Sequence, residues 1–195
     1  MTEYYHLQAD DDISLVVDHE VLETPGKYID GEVYVDYETV HDRFNDRFYW
    51  DANENVLLYT LPDNLVTVAA GSNTYQVGKE NQSADYTIVR NDSNTMYLAL
   101  DFVEQYTNIT HEVYEDPNRT VINTVWGDVD TAPAKKATQL RLKGGIKSPI
   151  VKDLEKGETL TILDAGDRWT KAMTEDGVIG YLKNKFVGKV TTETL

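Results

Sequence analysis

The hydrophobic and polar positions of this chain follow one pattern twice. In residues 31–60, an apolar run at 33–35 precedes apolar or aromatic residues at helical spacing, namely Tyr37, Val40 and Phe44. An aromatic segment at 48–50, a polar turn at 51–55 and an apolar segment at 56–59 then have the features of a β-hairpin. The pattern therefore predicts a strand, a short helix and a hairpin.

Residues 95–124 repeat this pattern. Val103 corresponds to Val40 and, after a shift of one residue, Tyr114 corresponds to Trp50. Because a repeated supersecondary unit usually indicates two like elements that share one core, we expect the two copies to pack as a pseudo-symmetric pair on one sheet. The alternative is a chance similarity between two amphipathic segments.

The segments around the two copies add short strands. Residues 13–17, 65–69 and 74–77 are apolar or alternating runs bounded by turn residues. Short helices are predicted at 37–44 and 100–106. The first part of the chain is therefore predicted to be an α+β domain that contains a duplicated strand-helix-hairpin unit.

From residue 138 the pattern changes to short apolar segments between turns that contain glycine and aspartate. Five segments are predicted to be strands, near residues 140–142, 150–154, 160–163, 170–173 and 179–182. Short strands at close and regular spacing are typical of small barrels. This part is therefore predicted to be a small all-β barrel.

Charge divides the chain at the same place. The net charge of −16 comes from 26 acids and 6 bases in residues 1–132 and from 8 acids and 12 bases in residues 133–195. This break predicts two domains, 1–132 and 133–195, with a linker near residues 131–136. The acidic part is expected to repel nucleic acid phosphates and anionic lipid, so neither nucleic acid nor membrane is an expected partner of this segment.

Composition excludes several kinds of chemistry. The chain has no Cys, so a thiol nucleophile, a disulfide and a thiolate metal site are all impossible. No run of about 18 apolar residues and no signal peptide pattern occurs in the sequence.

The C-terminal part resembles the bacterial SH3 domain family. The residues that carry the resemblance are 140–142, 154–158, Trp169, 176–177 and 180–182. Where that family usually has Asn-Val-Arg before a glycine loop, this chain has Gln-Leu-Arg at 139–141. The resemblance implies an SH3-like barrel of a kind that is mostly non-catalytic, binds cell-wall peptide or glycan, or accompanies a hydrolase.

The N-terminal part resembles the family named for the N-terminal domain of copper amine oxidases. The resemblance rests on Tyr34-Val35-Asp36 before a short helix, on the Phe-Tyr-Trp-Asp segment at 48–51, and on the repeat itself. This domain followed by a bacterial SH3 domain resembles the front half of secreted or surface-anchored family 18 glycoside hydrolases of clostridial-type bacteria. In those hydrolases the catalytic barrel follows the SH3 domain, so the barrel is expected to be absent here or cut off. The chain is separately expected to be a truncated extracellular or cell-surface segment that lacks its signal or anchor.

The residues themselves do not predict a catalytic or metal site. His6, His19, His41 and His111 are far apart in sequence and form no pair at ligand spacing, so no cofactor is expected. The segment 30–38 is one residue too long for the family 18 catalytic motif, and a one-residue slip on a strand turns side chains to the other face. The polar turn that begins at Asp51 lacks the Gly and Glu of a calcium loop.

Aromatic and basic residues are the remaining candidates for binding. Tyr49, Trp50 and Tyr59 are candidates for stacking on a sugar, with core packing as the alternative. Trp169 and Tyr181, together with Arg141 and Lys185, are candidates for a groove that binds an anionic peptide, with ordinary barrel packing of Trp169 as the alternative.

Three functions remain open from the sequence. The first is a non-catalytic accessory region of a larger extracellular glycoside hydrolase, which binds peptidoglycan peptide or cell-wall glycan at the cell surface. The second is a cell-surface scaffold for protein interactions without glycan affinity. The third is a small hydrolase that uses carboxylates such as Asp36 and Glu38.

Overall fold

The computed structural model describes residues 4–195, and these residues are almost entirely β structure. Strands make up 51% of the chain and helices 8%. The strands are β1 (Asp12–Val17), β2 (Glu20–Val21), β3 (Gly26–Ile29), β4 (Glu32–Asp36), β5 (Phe48–Asp51), β6 (Val56–Thr60), β7 (Leu65–Ala69), β8 (Thr74–Val77), β9 (Glu80–Ser83), β10 (Val89–Asp92), β11 (Thr95–Ala99), β12 (Thr110–Tyr114), β13 (Arg119–Asn123), β14 (Asp128–Pro133), β15 (Thr138–Arg141), β16 (Ile150–Leu154), β17 (Thr159–Ala165), β18 (Trp169–Thr174), β19 (Ile179–Lys183) and β20 (Thr191–Thr194). The helices are α1 (Tyr37–Thr39), α2 (Leu100–Glu104), a π-helical turn (Val40–Phe44) and a 3-10 turn (Asn184–Phe186).

The prediction of an α+β domain is wrong, because these helices are too short to form a layer. Helix α1 has three residues and α2 has five, whereas a helical layer that covers a sheet needs several turns per helix. None of the helices found in residues 4–195 combines the length and the apolar character needed to cross a membrane.

The residues divide into two compact units. The first unit contains residues 4–15 and 22–111, and the second contains residues 16–21 and 112–195. The boundary predicted at residue 132 stays a prediction. The linker expected at 131–136 is not an open segment, however, because Asp128–Pro133 forms β14 and both Thr131 and Ala132 are buried.

The first unit contains an antiparallel sheet in which β10, β11, β4, β3 and residues 12–15 of β1 follow one another in this order. Val35 of β4 lies opposite Leu98 of β11, and both side chains are fully buried. Gly26 begins β3 at a close approach of two backbones, since a Cβ atom there would lie 2.4 Å from the carbonyl oxygen of Tyr34. Any larger residue would push β3 away from β4.

A five-stranded sheet, β5-β6-β7-β8-β9, completes the first unit. Its apolar side carries a cluster of aromatic rings. Phe48 and Tyr59 have ring centroids 4.6 Å apart, and Tyr59 and Tyr106 have centroids 4.8 Å apart. Phe102 of α2 lies 5.5 Å from Tyr106, so the short helix contributes one large buried ring rather than a layer.

The two sequence copies do not form a duplicated strand-helix-hairpin unit, so this prediction is wrong. The hairpin β5–β6 belongs to the five-stranded sheet, while β12–β13 belongs to another sheet. Trp50 and Tyr114 therefore do not occupy equivalent places. The helical segments also differ, because α1 continues into a π-helical turn and α2 does not.

In the second unit, seven strands form one antiparallel sheet with the order β16-β15-β19-β18-β17-β14-β20. The five strands predicted between residues 138 and 183 are present as β15 to β19. Their inner side chains, together with Val178 of the turn before β19, form a small core that contains Leu140, Leu154, Leu160, Ala172 and Leu182. The outermost strand, β20, has four exposed residues and pairs only with β14.

Candidate functional site

The second unit carries a groove of about 290 Å³, which we call the basic groove. It is lined by Lys136, Ala137, Thr138, Gln139, Arg141, Ile146, Trp169, Lys183 and Phe186. Three of these residues are cations and two are aromatic. No carboxylate belongs to this lining within residues 4–195.

Strand register explains why these side chains lie together. Trp169 of β18 faces Lys183 of β19, and Arg141 of β15 faces Tyr181 of β19. Directly paired residues of antiparallel strands project from the same face, as do residues two apart on one strand. The four side chains therefore share one face, and the alternate residues Leu140 and Leu182 face the core.

Local contacts orient the groove's side chains. The Nζ atom of Lys136 lies 4.7 Å from the ring centroid of Phe186, which is a cation–π distance. Arg141 donates from Nη1 to the carbonyl oxygen of Ser148 at 2.9 Å. Gly144 gives Trp169 room, since a Cβ atom there would lie 3.1 Å from Cγ of the indole.

The structure brings the predicted groove residues together only in part. Arg141 and Trp169 line the groove. Tyr181 projects from the same face of the sheet as Arg141 but does not line the groove. Lys185 lies outside the lining, with its Nζ atom 5.1 Å from the ring centroid of Phe186. The lining residues Lys136, Lys183 and Phe186 were not among the residues predicted from the sequence. Tyr181 and Lys183 are two residues apart on one strand and therefore share a face, so this alternation could have identified Lys183.

The three aromatic residues predicted to stack on a sugar have different surroundings in the structure. Tyr59 is 5% exposed, and its hydroxyl accepts from Nδ2 of Asn45 at 3.1 Å, so it is a core residue. Tyr49 is 59% exposed and lies on the opposite face of β5 from Trp50. Trp50 lines a cavity in the first unit.

Two cavities of the first unit share one lining residue, Tyr97. The Trp50 cavity has about 440 Å³ and is lined by Thr24, Asp36, Tyr37, Glu38, Trp50, Asn94, Thr95, Met96 and Tyr97. The Arg90 cavity has about 500 Å³ and is lined by Lys27, Ile29, Tyr34, Asn55, Ala70, Gly71, Thr87, Arg90, Asn91, Asp92 and Tyr97. Both volumes fall in the range of small-molecule sites, about 300–1,000 Å³.

Asp36, a carboxylate considered for hydrolysis, has a structural role in the Trp50 cavity. Its side chain accepts from the backbone N–H of Thr39 at 3.1 Å and from the Thr39 hydroxyl at 2.7 Å. It thereby caps the N-terminus of α1, which is a common role for Asp.

A cluster of titratable groups lies in the first unit apart from both cavities. His111 Nδ1 is paired with Glu104 Oε1, and His111 Nε2 lies 4.0 Å from Asp101 Oδ1. Burial disfavours the charged imidazole, but the bond to Glu104 and the surrounding carboxylates outweigh burial and raise the pKa of His111. Burial, a hydrogen bond with Asp101 and the charge of Asp101 raise the pKa of Glu32 to about 7.

Residues 16–123 match the family described as Copper amine oxidase N-terminal domain. The chain belongs to this family. The copper amine oxidase N-terminal domain is a non-catalytic domain, and the resemblance seen at residues 34–36 and 48–51 is thereby confirmed. No curated protein and no solved structure matches the chain.

The ligands available in this copper amine oxidase N-terminal domain do not suit copper. Asp101, Glu104 and His111 have potential ligand atoms within 4.8 Å of one another, and they are the one group of three or more such residues found in residues 4–195. The group has a single imidazole, whereas copper sites in proteins favour several nitrogen or sulfur ligands. The sequence does not reveal this group by histidine spacing, because the group contains only one histidine.

Proposed function

We propose that this chain is a non-catalytic accessory region that binds cell-wall peptide or glycan and positions a larger extracellular glycoside hydrolase of the family 18 type. The observation that carries the proposal is the lining of the basic groove, with three cations, two aromatic rings and no carboxylate within the described residues. Such a lining attracts an anionic chain and offers ring faces to its apolar parts.

The physical chemistry of the groove favours a polymer ligand over an isolated small ion. Lys136, Arg141 and Lys183 are partly or fully exposed, and exposed cations attract anions with energies of about 1 kcal/mol or less each. Trp169 and Phe186 add stacking surface between these cations. Affinity therefore grows when one ligand contacts several of these groups at once, as a peptidoglycan stem peptide can.

The sequence resemblance to bacterial SH3 domains supports the same function. Residues of that resemblance lie on β15, β18 and β19, the strands that carry Arg141, Trp169 and Lys183. The bacterial SH3 family is associated with wall binding beside hydrolases, and the family 18 context is inferred from the domain order.

A protein-interaction scaffold without glycan affinity is the second candidate. Three exposed apolar side chains lie on or next to the hairpin β15–β16: Leu142 at 38% exposed, Ile146 at 63% and Ile150 at 51%. Exposed apolar groups that lie close together are typical of protein interaction sites. This candidate predicts binding to a protein and no binding to purified wall.

Co-sedimentation of the full chain with purified, insoluble peptidoglycan tests the proposal. We expect the chain to sediment with peptidoglycan, and the double variant Lys136→Gln/Lys183→Gln to bind about tenfold more weakly, since two contacts of about 0.7 kcal/mol are lost. The matched control is Lys156→Gln/Lys189→Gln, which removes the same charge at exposed residues outside the groove. If both double variants lost the same affinity, attachment would depend on overall charge and not on the groove. Absence of sedimentation would contradict the proposal.

A further inference from the structure

The Arg90 cavity is a concave surface built on one sheet face of the first unit. Lys27 faces Tyr34 across β3 and β4, and Arg90 faces Tyr97 across β10 and β11. Tyr34 lies opposite Ala99, which is two residues from Tyr97 and therefore shares its face. The four side chains consequently project from the same face of the sheet.

Small residues leave the cavity open on another side. Ala70 and Gly71 belong to the lining, and a Cβ atom added at Gly71 would meet no other heavy atom within 4 Å. The volume of about 500 Å³ is within the range of sites for small ligands.

We propose that the Arg90 cavity binds a sugar that carries a single carboxylate, such as a hexuronic acid or a sugar with a carboxylate-bearing substituent. This site lies in the first unit, so the proposal does not depend on the basic groove.

Arg90 is a cation with few partners inside the protein. Its guanidinium carbon lies 5.1 Å from the ring centroid of Tyr34, and Nη2 lies 3.7 Å from an oxygen of Asp30, a residue whose side chain is 87% exposed. Its Nε atom is buried and has no hydrogen-bond partner. A guanidinium has five N–H donors, and a partly desolvated guanidinium with so few acceptors is stabilised by an anion placed beside it.

The second cation of the cavity differs, because Lys27 is already neutralised. Its Nζ atom donates to Asp12 at 2.8 Å and to Asp11 at 3.0 Å. Burial alone would lower the pKa of Lys27, but these two carboxylates outweigh burial and raise it. Arg90 is therefore the less strongly paired cation of the two, since its one carboxylate contact, with Asp30, is long and mostly exposed.

The neutral polar groups of the lining suit a sugar. Asn55, Asn91, Thr87 and Tyr97 line the cavity, and amide and hydroxyl groups can both donate to and accept from sugar hydroxyls. The Oδ1 atom of Asn91 accepts from the backbone N–H of Asn94 at 3.1 Å. Asn91 is adjacent to Arg90 on β10, so its side chain projects from the opposite face of the strand and this bond holds it in the turn after β10.

Asp92 limits how much negative charge the cavity accepts. Its carboxylate belongs to the lining, so a dianion such as phosphate would gain from Arg90 but be repelled by Asp92. A ligand with one carboxylate can instead direct its hydroxyl groups toward Asp92, because a carboxylate is an acceptor only. This selects a singly charged sugar over inorganic phosphate.

NMR titration of the full chain tests the proposal with matched pairs of sugars. The pairs are D-glucuronic acid with D-glucose and N-acetylmuramic acid with N-acetylglucosamine, and inorganic phosphate is a separate probe. We expect the acidic member of at least one pair to bind about tenfold more tightly than its neutral partner, which is the effect of one hydrogen bond to a charged group. The largest changes in backbone amide chemical shift should occur at Gly71, Asn91 and Tyr97.

Two variants decide whether Arg90 causes the preference. Arg90→Gln should remove the difference between acidic and neutral sugars, whereas the matched control Lys79→Gln, an exposed cation outside the cavity lining, should keep it. If Arg90→Gln does not fold, Arg90→Lys keeps the charge without the bidentate fork and should reduce the preference.

Three results would overturn the proposal: equal binding of acidic and neutral sugars, a preference that survives Arg90→Gln, or phosphate binding more tightly than any sugar at these amides. None of these results bears on peptidoglycan sedimentation by the basic groove, so the two proposals can fail separately.

Discussion

Arg119 donates from Nη2 to Oδ2 of Asp176 at 2.8 Å and from Nε to the Asp176 carbonyl oxygen at 2.6 Å. Its Nη1 group donates to the carbonyl oxygens of Glu115 at 3.0 Å and Pro117 at 2.9 Å. Arg119 is 5% exposed, so this guanidinium is a buried charge with partners on each of its nitrogens. Within the second unit it joins the hairpin β12–β13 to the turn between β18 and β19.

Replacing Arg119 should therefore destabilise the protein. Arg119→Ala removes the donor to Oδ2 of Asp176 and the donors to three carbonyl groups, and loss of one partner of a buried ion pair costs about 3–5 kcal/mol. Chemical denaturation followed by tryptophan fluorescence measures the change. Arg168→Ala, at an exposed position, should change the free energy of unfolding by about 0.5 kcal/mol or less, and similar values for both variants would contradict this role of Arg119.

Asp176 should make the second unit sensitive to acid. Burial would raise its pKa, but hydrogen bonds from Thr174 and Lys152 and the charges of Lys152 and Arg119 outweigh burial and lower it. A carboxyl group with a lowered pKa in the folded state stabilises the fold above its unfolded pKa, and this stabilisation is lost as pH falls through the folded pKa. Denaturation at a series of pH values below 5 should show a smaller loss of stability in Asp176→Asn than in the wild type, starting from a lower stability at pH 7.

The cluster around His111 should have the opposite pH dependence from Asp176: its contribution to the stability of the fold should fall as pH rises. The folded-state pKa is raised for His111 and raised to about 7 for Glu32, so the folded protein binds more protons than the unfolded chain. Stability from these groups is complete below the unfolded pKa of each and declines as pH rises through the folded values. The free energy of unfolding should decline between pH 5 and 8, and Glu32→Gln should flatten this decline.

The control for this pH dependence is Glu54→Gln, which changes an exposed carboxylate in the turn between β5 and β6. It should leave the decline between pH 5 and 8 as in the wild type. A decline that is equally steep in Glu32→Gln would show that the cluster does not cause it.

Tyr59 should behave as a core residue rather than as a binding residue. Tyr59→Phe keeps the ring contacts with Phe48 and Tyr106 but removes a hydroxyl that bonds Asn45 and the Tyr106 carbonyl, so it should cost about 1 kcal/mol. Tyr59→Ala also leaves a cavity and should cost about 3–5 kcal/mol. Thermal unfolding measures both, and a Tyr59→Ala variant as stable as the wild type would contradict the core assignment.

Local pattern predicted the strands of this protein better than it predicted their partners. The runs at 33–35 and 96–98 are parts of β4 and β11, which pair with each other, and the apolar period correctly indicated a helical turn after each. The hairpins at 48–60 and 110–123 join different sheets, however, because the strand that a hairpin pairs with depends on residues distant in sequence. Helical spacing over two turns also cannot show that α1 ends after three residues.

The residues of the candidate site were also predictable from the sequence only in part. Trp169 and Arg141 could be singled out because their residue types are typical of binding surfaces, and strand alternation places them on one face. Lys136 and Phe186 join the groove from outside those strands, so no periodicity connects them. The Arg90 cavity was missed because Arg90 and Tyr34 are close only through the order β10-β11-β4.

The exposed strand β20 is the part of the second unit that can separate from the edge of its sheet. Two threonine hydroxyls bond aspartates of β14, from Thr192 to Asp130 at 3.0 Å and from Thr194 to Asp128 at 2.7 Å, but all four residues of β20 are exposed. Because fraying of such a strand costs little free energy, amide hydrogens of residues 191–194 should exchange with solvent long before those of the central strand β18. Each opening uncovers the outer edge of β14, and an uncovered edge can pair with a strand of another molecule. Self-association of this protein should therefore follow the fraying of its last strand rather than its global unfolding.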